Sequence, residues 1–459
     1  MTSSTYAVYD PATLEIVGEA PQHTEADVRR AITAAKKAGY DWSTSRAARQ
    51  SALQQIANLI RNDAERLGEL LSREQGKVLP EAIGEFNTAA DLFDYYAELD
   101  WAETESLPPR SGRSIEVQNR PVGIVGTITP WNFPISLLCV KLAPALVTGC
   151  TVIAKPSATT PLSTIALVDL MNQVLPSGVL QVRTSSNRTV NVALSTLPEV
   201  RKISFTGSTE VGTAVAAQAA ESVKRVTLEL GGNDAALVLR DADIEKTAQS
   251  ILNSAFRNAG QVCMAVKRVY VPRSIAQEFT EALVAHSTNI VVGRGIDAAT
   301  TMGPMHSKSQ LSIVRELVDD AVSSGAQIVT GGSSSSELPG YFMDPTIITR
   351  ASAGMPLVDE EQFGSALPIV TYDDVATTIA EINNGPFGLG ASVWSEDLDA
   401  AKQLAGRLEA GTVWVNQHTV VELDAPFGGW KSSGLGRERG RWGLEEYLEP
   451  RTINTFTEL

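Results

Sequence analysis

The sequence predicts an α/β protein built from parallel strand–helix–strand units. Three observations point there. From residue 115 onward, short β-rich runs alternate with helical stretches. Strands alternating with helices predict parallel sheets covered on both faces. The chain has 459 residues, against roughly 100–200 per domain, so two or three domains are expected. The apolar fraction of 43% is enough for large buried cores.

Residues 24–75 come first and read as helices. Thr24 precedes Asp27 by three positions, a capping pattern, and Val28, Ile32 and Ala35 follow at helical spacing. A second apolar face runs Leu53, Ile56, Leu59, Ile60, then Leu67, Leu70 and Leu71. "RSIEVQN" (113–119) has strand character. The runs "VGIVGTIT", "CTVIAK", "KISFTG", "RVTLEL" and "AALVL" are the parallel strands, and "TPLSTIALVDLMNQV" and "TEVGTAVAAQAA" are helices between them. A second α/β stretch covers roughly 240–430. It opens with a helix expected to be capped by Asp241, with Ile244, Ala248, Ile251, Leu252 and Ala255 on one face. That helix ends near "RNAGQ", and "KRVYV" follows as a strand. "GGSSSSELPG" (331–340) is a surface loop by composition, and the tail "EPRTINTFTEL" is strand-like.

A net charge of −15 argues against nucleic acid or an anionic membrane as partner. No stretch approaches the ~20 apolar residues of a membrane span, and the N-terminus lacks the pattern of a secretory signal. Three cysteines match no zinc spacing and four scattered histidines build no metal site, so no metal is expected and a reducing cytoplasm is the default compartment.

Several polar residues share one placement, a strand end beside a turn. Asn132 follows "VGIVGTIT" between Pro130 and Pro134. Lys155 closes "CTVIAK", Ser208 follows "ISFTG", and Glu229 closes "RVTLEL". Sites in parallel sheets lie at such carboxyl ends. Singly, each has a structural reading: turn former, surface cation, helix cap and solvated strand end. Cys263, in "NAGQVCMAVKRVYV", reads alone as a small buried hydrophobe. Together they fit one reaction. A thiolate attacks carbonyl carbon. The Cys263 N–H and the Asn132 amide can donate to the resulting oxyanion. Glu229 can accept a proton. "FTGSTEVG" (205–212) sets glycines before a helix N-terminus, where a pyrophosphate can sit.

The ordered blocks "TPWNFP", "KPS", "FTGSTEVG", "LELGGND", "FRNAGQVC", "EEQFG", "GLGASVWS" and "PFGGWKSSGLGRE" resemble the aldehyde dehydrogenase superfamily over nearly the whole chain. The resemblance is to its NAD(P)-dependent, non-acylating members, and more distantly to succinate-semialdehyde dehydrogenases. It implies an aldehyde-dehydrogenase-like α/β fold. A Rossmann-type cofactor domain would span 1–104 and 122–231, an α/β catalytic domain 232–432, and a small β oligomerisation arm 105–121 and 433–459, in a homodimer or homotetramer.

The implied roles are Cys263 as nucleophile, Asn132 as oxyanion donor and Glu229 as the base for hydrolysis of a thioester. NAD or NADP would meet Trp131, Lys155, Ser157, Gly207, Ser208, Leu230, Glu361 and Phe363. The aldehyde would meet Phe133, Val262, Met264, His418 and Phe427, together with Leu137, Val140 and Val421. This mostly apolar lining suits an aliphatic or aromatic aldehyde. Arg257 is the exception: relatives that act on succinate semialdehyde carry an arginine there for the distal carboxylate, although Arg257 reads equally as a brace against a nearby acid. A catalytically silent protein on this fold is the alternative of another class, and the presence of both nucleophile and base speaks against it. Three departures stand out. Ala158 replaces the glutamate of many NAD-preferring relatives, which removes a repulsion against NADP. "RTSSNRTVNVAL" (183–194) lacks the usual glycines, leaving Arg188 as either a phosphate contact or a solvated loop residue. Ser365 stands where proline is common.

Overall fold

The computed structural model describes residues 4–333 and 339–456. Positions 334–338 of the serine-rich loop lie outside the described residues. Two parallel sheets, each covered by helices on both faces, carry the structure, and this is the α/β class read from the sequence.

The first helices follow from their caps and stripes. Helix α1 (Glu25–Trp42) starts where the Asp27 carboxylate accepts from the Thr24 N–H (2.8 Å) and hydroxyl (2.7 Å). Helix α2 (Arg46–Gln75) begins at Ser45 and stops at Gly76, whose φ of 102° favours glycine. Helix α3 (Leu79–Glu98) packs along α2.

The six-stranded sheet has the order Gly434–Leu435, Arg225–Glu229, Val200–Thr206, Ile124–Ile128, Thr151–Lys155, Leu180–Val182. All pairs are parallel except the first. Alternation along the strands divides the core. Ile124 and Ile128 meet α1, helix α6 (Thr189–Thr196) and helix α7 (Thr209–Ala220). Val125 and Val152 meet α2, α3, helix α4 (Ser136–Thr148) and helix α5 (Leu162–Met171). Strand order reverses at Ile124–Ile128, so the chain leaves neighbouring strands in opposite directions there and opens a crevice at their carboxyl ends. The segments 130–133 and 207–208 emerge into that crevice.

The seven-stranded sheet lies within 234–415 and is parallel apart from its edge strand Gln327–Thr330. Helix α8 (Ile244–Phe256) packs on it through Ala248, Ile251, Leu252 and Ala255. Its cap corrects the sequence reading: Asp243 accepts from the Lys246 N–H (3.1 Å). Asp241 instead accepts from the Ser395 hydroxyl (2.8 Å) and the Asp397 N–H (3.0 Å), tying two loops together.

Thr104–Arg110, Arg113–Pro121 and Leu448–Phe456 form a three-stranded antiparallel sheet exposed along most of its length. The expected arm boundary at 433 falls inside other structure, because Gly434–Leu435 pairs with Leu228 and Glu229 on the large sheet. No described helix is long and apolar enough to cross a membrane.

Candidate active site

Cys263 follows an unusual turn. Beyond α8 the chain takes three successive left-handed residues, Asn258 (φ 47°), Ala259 (φ 55°) and Gly260 (φ 74°). A Cβ on Gly260 would lie 2.1 Å from the Gly364 carbonyl oxygen, so only glycine fits. Non-glycine residues in this region cost energy and persist where surroundings over-determine them. The surroundings are on hand. Lys267 Nζ donates to the Gly260 carbonyl (2.6 Å) and the Ser365 hydroxyl to the Ala259 carbonyl (3.1 Å). Fully buried Gln261 donates to the Asn258 carbonyl (2.9 Å) and accepts from the His306 N–H (2.7 Å). Ser365 thus has a structural task that the sequence did not disclose.

Asn132 is held from the opposite side. Its Nδ2 donates to the Gln261 carbonyl (3.0 Å), one of the amide's two N–H bonds. Its own carbonyl accepts from Lys77 Nζ (2.8 Å) and Asn258 Nδ2 (3.2 Å). Lys77 is paired with Glu85 (2.6 Å) in full burial, and Glu85 also accepts from the Ile135 (2.8 Å) and Ser136 (3.2 Å) N–H groups opening α4. One buried ion pair therefore pins the whole 132–136 turn. The Cys263 N–H forms no hydrogen bond among the described residues, so it and the second Asn132 N–H remain available as donors.

Glu229 is buried, and neither carboxylate oxygen makes a hydrogen bond of good geometry. Burial and the Glu438 carboxylate push it up to about 8, while Lys141 opposes the rise. Burial, with the charges of Glu229, Glu361 and Asp234, holds the Cys263 thiol well above its ordinary value. The resting thiol is protonated and needs a base to take its proton. Glu438 is itself paired with buried Lys141.

Cys263 and Leu137 stand at the junction of two cavities. The first is lined by Trp131, Asn132, Gly207, Ser208, Glu229, Leu230, Glu361 and Phe363. Trp131 stacks on His306 (4.5 Å) and meets Phe363 edge-on (5.6 Å). Ser208 caps α7, accepting from the Val211 N–H. Glu361 accepts from the Gly232 N–H (3.1 Å), and burial pushes its carboxyl up to about 7. Lys155 and Ser157 do not line this cavity. Lys155 is buried at the end of its strand, where desolvation pulls it down to about 8, and Ser157 sits in the next turn beside Thr159. Arg188 is exposed at the start of α6.

The second cavity is lined by Phe133, Leu137, Val140, Arg257, Val262, Met264, Val421 and Phe427. His418 does not join them, which corrects the sequence reading. Its side chain is fully buried behind the loop, bonded to the Ser392 hydroxyl (2.9 Å) and the Met264 carbonyl (3.0 Å) and facing Asp234. Arg257 lies over the Phe133 ring at 5.4 Å and forms no ion pair among the described residues. Sequence reading also passed over Lys77, Glu85, Gln261, His306 and Glu438, each of which has a partner far away along the chain, and over Lys267 and Arg439. No cluster of metal-binding side chains occurs among the described residues.

The profile described as "Aldehyde dehydrogenase family" matches residues 1–453. The chain is 38% identical to 3-sulfolactaldehyde dehydrogenase of Pseudomonas putida, over 98% of this chain and 94% of that one. It is equally identical, 38%, to the NADP(+) succinate-semialdehyde dehydrogenase of Escherichia coli (strain K12), over 96% and 92%. Betaine aldehyde dehydrogenase of Staphylococcus aureus, solved in complex with NAD+, superposes with a TM-score of 0.96 at 35% identity, covering 99% of this chain and 92% of that one. A cysteine-bearing loop, a buried carboxylate and a two-cavity cleft thus sit on a shared full-length fold, and the chain belongs to the aldehyde dehydrogenase family.

Proposed function

We propose that this oxidoreductase converts an aldehyde to its carboxylic acid, with NAD or NADP, through covalent chemistry on Cys263. One observation carries the reading: the thiol stands where an apolar cavity meets the crevice of the six-stranded sheet.

The crevice fits a dinucleotide. Its floor is backbone, since a Cβ on Gly231 would come within 2.5 Å of Glu361 Oε2. Gly207 and Ser208 offer the N-terminus of α7 to a pyrophosphate, Glu361 has acceptor capacity for a ribose hydroxyl, and Trp131, Leu230 and Phe363 supply apolar walls. Lys155 and Ser157 would meet the adenosine end, and Ala158 leaves room for a 2′-phosphate. When bound, the dinucleotide supplies the hydride acceptor that turns the thiohemiacetal into a thioester.

Glu229, in its carboxylate form, takes the thiol proton. The thiolate attacks the aldehyde carbon, and the oxyanion receives hydrogen bonds from Asn132 Nδ2 and the Cys263 N–H. Glu229 then releases that proton to solvent and, as the carboxylate again, takes a proton from water, whose oxygen attacks the thioester carbon. The adduct expels the Cys263 thiolate, which recovers the proton from Glu229, and the acid leaves.

The apolar wall suits an aliphatic or aromatic chain. A second reading, a short aldehyde ending in a carboxylate, is favoured by Arg257, a guanidinium in that wall with no ion pair among the described residues. The exposed three-stranded sheet suits pairing with another copy in a homodimer or homotetramer.

The test is NAD(P)H formation with both cofactors against hexanal, benzaldehyde and succinate semialdehyde, with Cys263→Ala alongside. Oxidation by the wild type and none by Cys263→Ala is expected. Full activity in the alanine variant would overturn the mechanism.

A further inference from the structure

Besides Arg257, a second arginine faces the cavity that ends at Cys263. Arg439 lines it, as do Glu85 and Glu438. The balance of these four charges is uneven. Glu85 is neutralised by Lys77 and Glu438 by Lys141, both in buried ion pairs. Among the described residues neither arginine forms an ion pair or a side-chain hydrogen bond. Arg439 feels the charges of Glu438, which is held by Lys141, and of exposed Glu422, but it pairs with neither. Glu81 feels the charge of Arg257, but burial pushes its carboxyl toward the neutral form. A chain carrying −15 overall thus places two arginines with no ion pair among the described residues in the wall of the cavity. Walls of one sign concentrate field within a cleft and raise the local concentration of opposite charge.

The backbone at Arg439 argues that its position is specified. Its φ of 67° and ψ of 164° fall in a region that essentially only glycine occupies without cost. Two bonds between Phe427 and Glu438, both 2.8 Å, fix the residue before it. The Gly443 N–H donates to the Arg439 carbonyl (2.7 Å), and the Gly440 N–H to the Leu423 carbonyl (2.9 Å). Glycine would satisfy this backbone more cheaply, so the guanidinium is what the position gains by holding arginine.

Resting on the proposed aldehyde oxidation, we infer that Arg439 is a second anion-recognition residue beside Arg257, and that the preferred substrate is a short aldehyde ending in an anionic group. The apolar wall between carries the chain, Cys263 receives the aldehyde, and the arginines hold the far end. Carboxylate and sulfonate share this chemistry.

The experiment measures kcat/KM for succinate semialdehyde, sulfoacetaldehyde and hexanal in wild type, Arg439→Gly, Arg439→Lys and Arg257→Gln. Arg439→Gly relieves the backbone, so it folds if any variant does, and its Tm should not fall. The readout is the ratio of anionic to neutral kcat/KM. Loss of one charge-assisted hydrogen bond should lower it about tenfold or more in Arg439→Gly. Arg439→Lys should recover part of it. The larger effect among the two anions identifies the headgroup. An unchanged ratio in Arg439→Gly with a fall in Arg257→Gln overturns the role of Arg439 and leaves a single clamp. An unchanged ratio in both overturns an anionic substrate while hexanal turnover still upholds the oxidation. No oxidation of any aldehyde by wild type removes the underlying reading itself.

Discussion

Glu229→Gln tests the proposed base. Burial of the carboxyl, with the Glu438 charge, outweighs the opposing effects of Lys141 and the Cys263 thiol, and it is pushed up to about 8. A base works only when deprotonated, so turnover limited by thioester hydrolysis should rise with pH through about 8. With that value about one-tenth of the group is ionised at pH 7 and about nine-tenths at pH 9, a rise of about tenfold. Glutamine keeps the shape and removes the base, a loss of about 10²–10⁴ in the step it serves. The assay is rapid-mixing detection of NAD(P)H followed by steady-state turnover. The variant should give at most one equivalent of NAD(P)H per Cys263, and then a slow, pH-flat rate. The thiol titrates too, above its ordinary value, so the burst keeps an alkaline limb of its own. A steady-state limb near pH 8 that survives in Glu229→Gln would refute the assignment and transfer that limb to Cys263.

Three further outcomes follow from the same geometry. Lys77→Met leaves Glu85 buried without its cation, a cost of about 3–5 kcal/mol. A lowered Tm should come with a kcat loss larger than any KM change, because the Asn132 carbonyl also loses its lysine donor. Gly260→Ala must displace the Gly364 carbonyl and should slow the burst while leaving dinucleotide binding, measured by fluorescence quenching, close to wild type. Lys141→Met removes the cation that opposes the rise at Glu229 and frees the Glu438 charge, so the alkaline limb of turnover should move to higher pH.

What the sequence made legible was local. Thr24 and Asp27 cap α1 because the pattern needs only neighbours. Asn132, Ser208 and Glu229 gather at one crevice because strand ends in a parallel sheet converge there. What escaped was decided across the chain. Helix α4 shows no apolar stripe because nearly every residue from Leu138 to Thr148 is buried, and its lysine reads as an interruption until Glu438 is brought beside it. "DADIE" offers two aspartates for one cap, and only the distant Ser395 explains why Asp241 is spent elsewhere. His418 neighbours cavity residues in sequence, yet its ring turns inward because Asp234 and Ser392 wait behind the loop.

The carboxylates around Cys263 show how one site can hold acids with different tasks. Glu85 and Glu438 are buried beside the cavity, and each has a lysine. Left alone, either would add negative charge near a thiol that must ionise and a base that must release its proton near neutrality. Pairing neutralises Glu85, and at Glu438 it sets Lys141 against the rise that the Glu438 carboxylate causes at Glu229. Glu229 and Glu361 have no ion pair among the described residues, and they are the two pushed up to about 8 and about 7. Like charges in one low-dielectric cleft cannot all ionise, so acids whose environments differ come to hold different protonation states. The lysines are therefore as much a part of the chemistry as the acids they neutralise. They leave Glu229 beside the thiol without an ion pair among the described residues, suited to the proposed role of proton acceptor, and Arg257 and Arg439 likewise unpaired in the cavity wall.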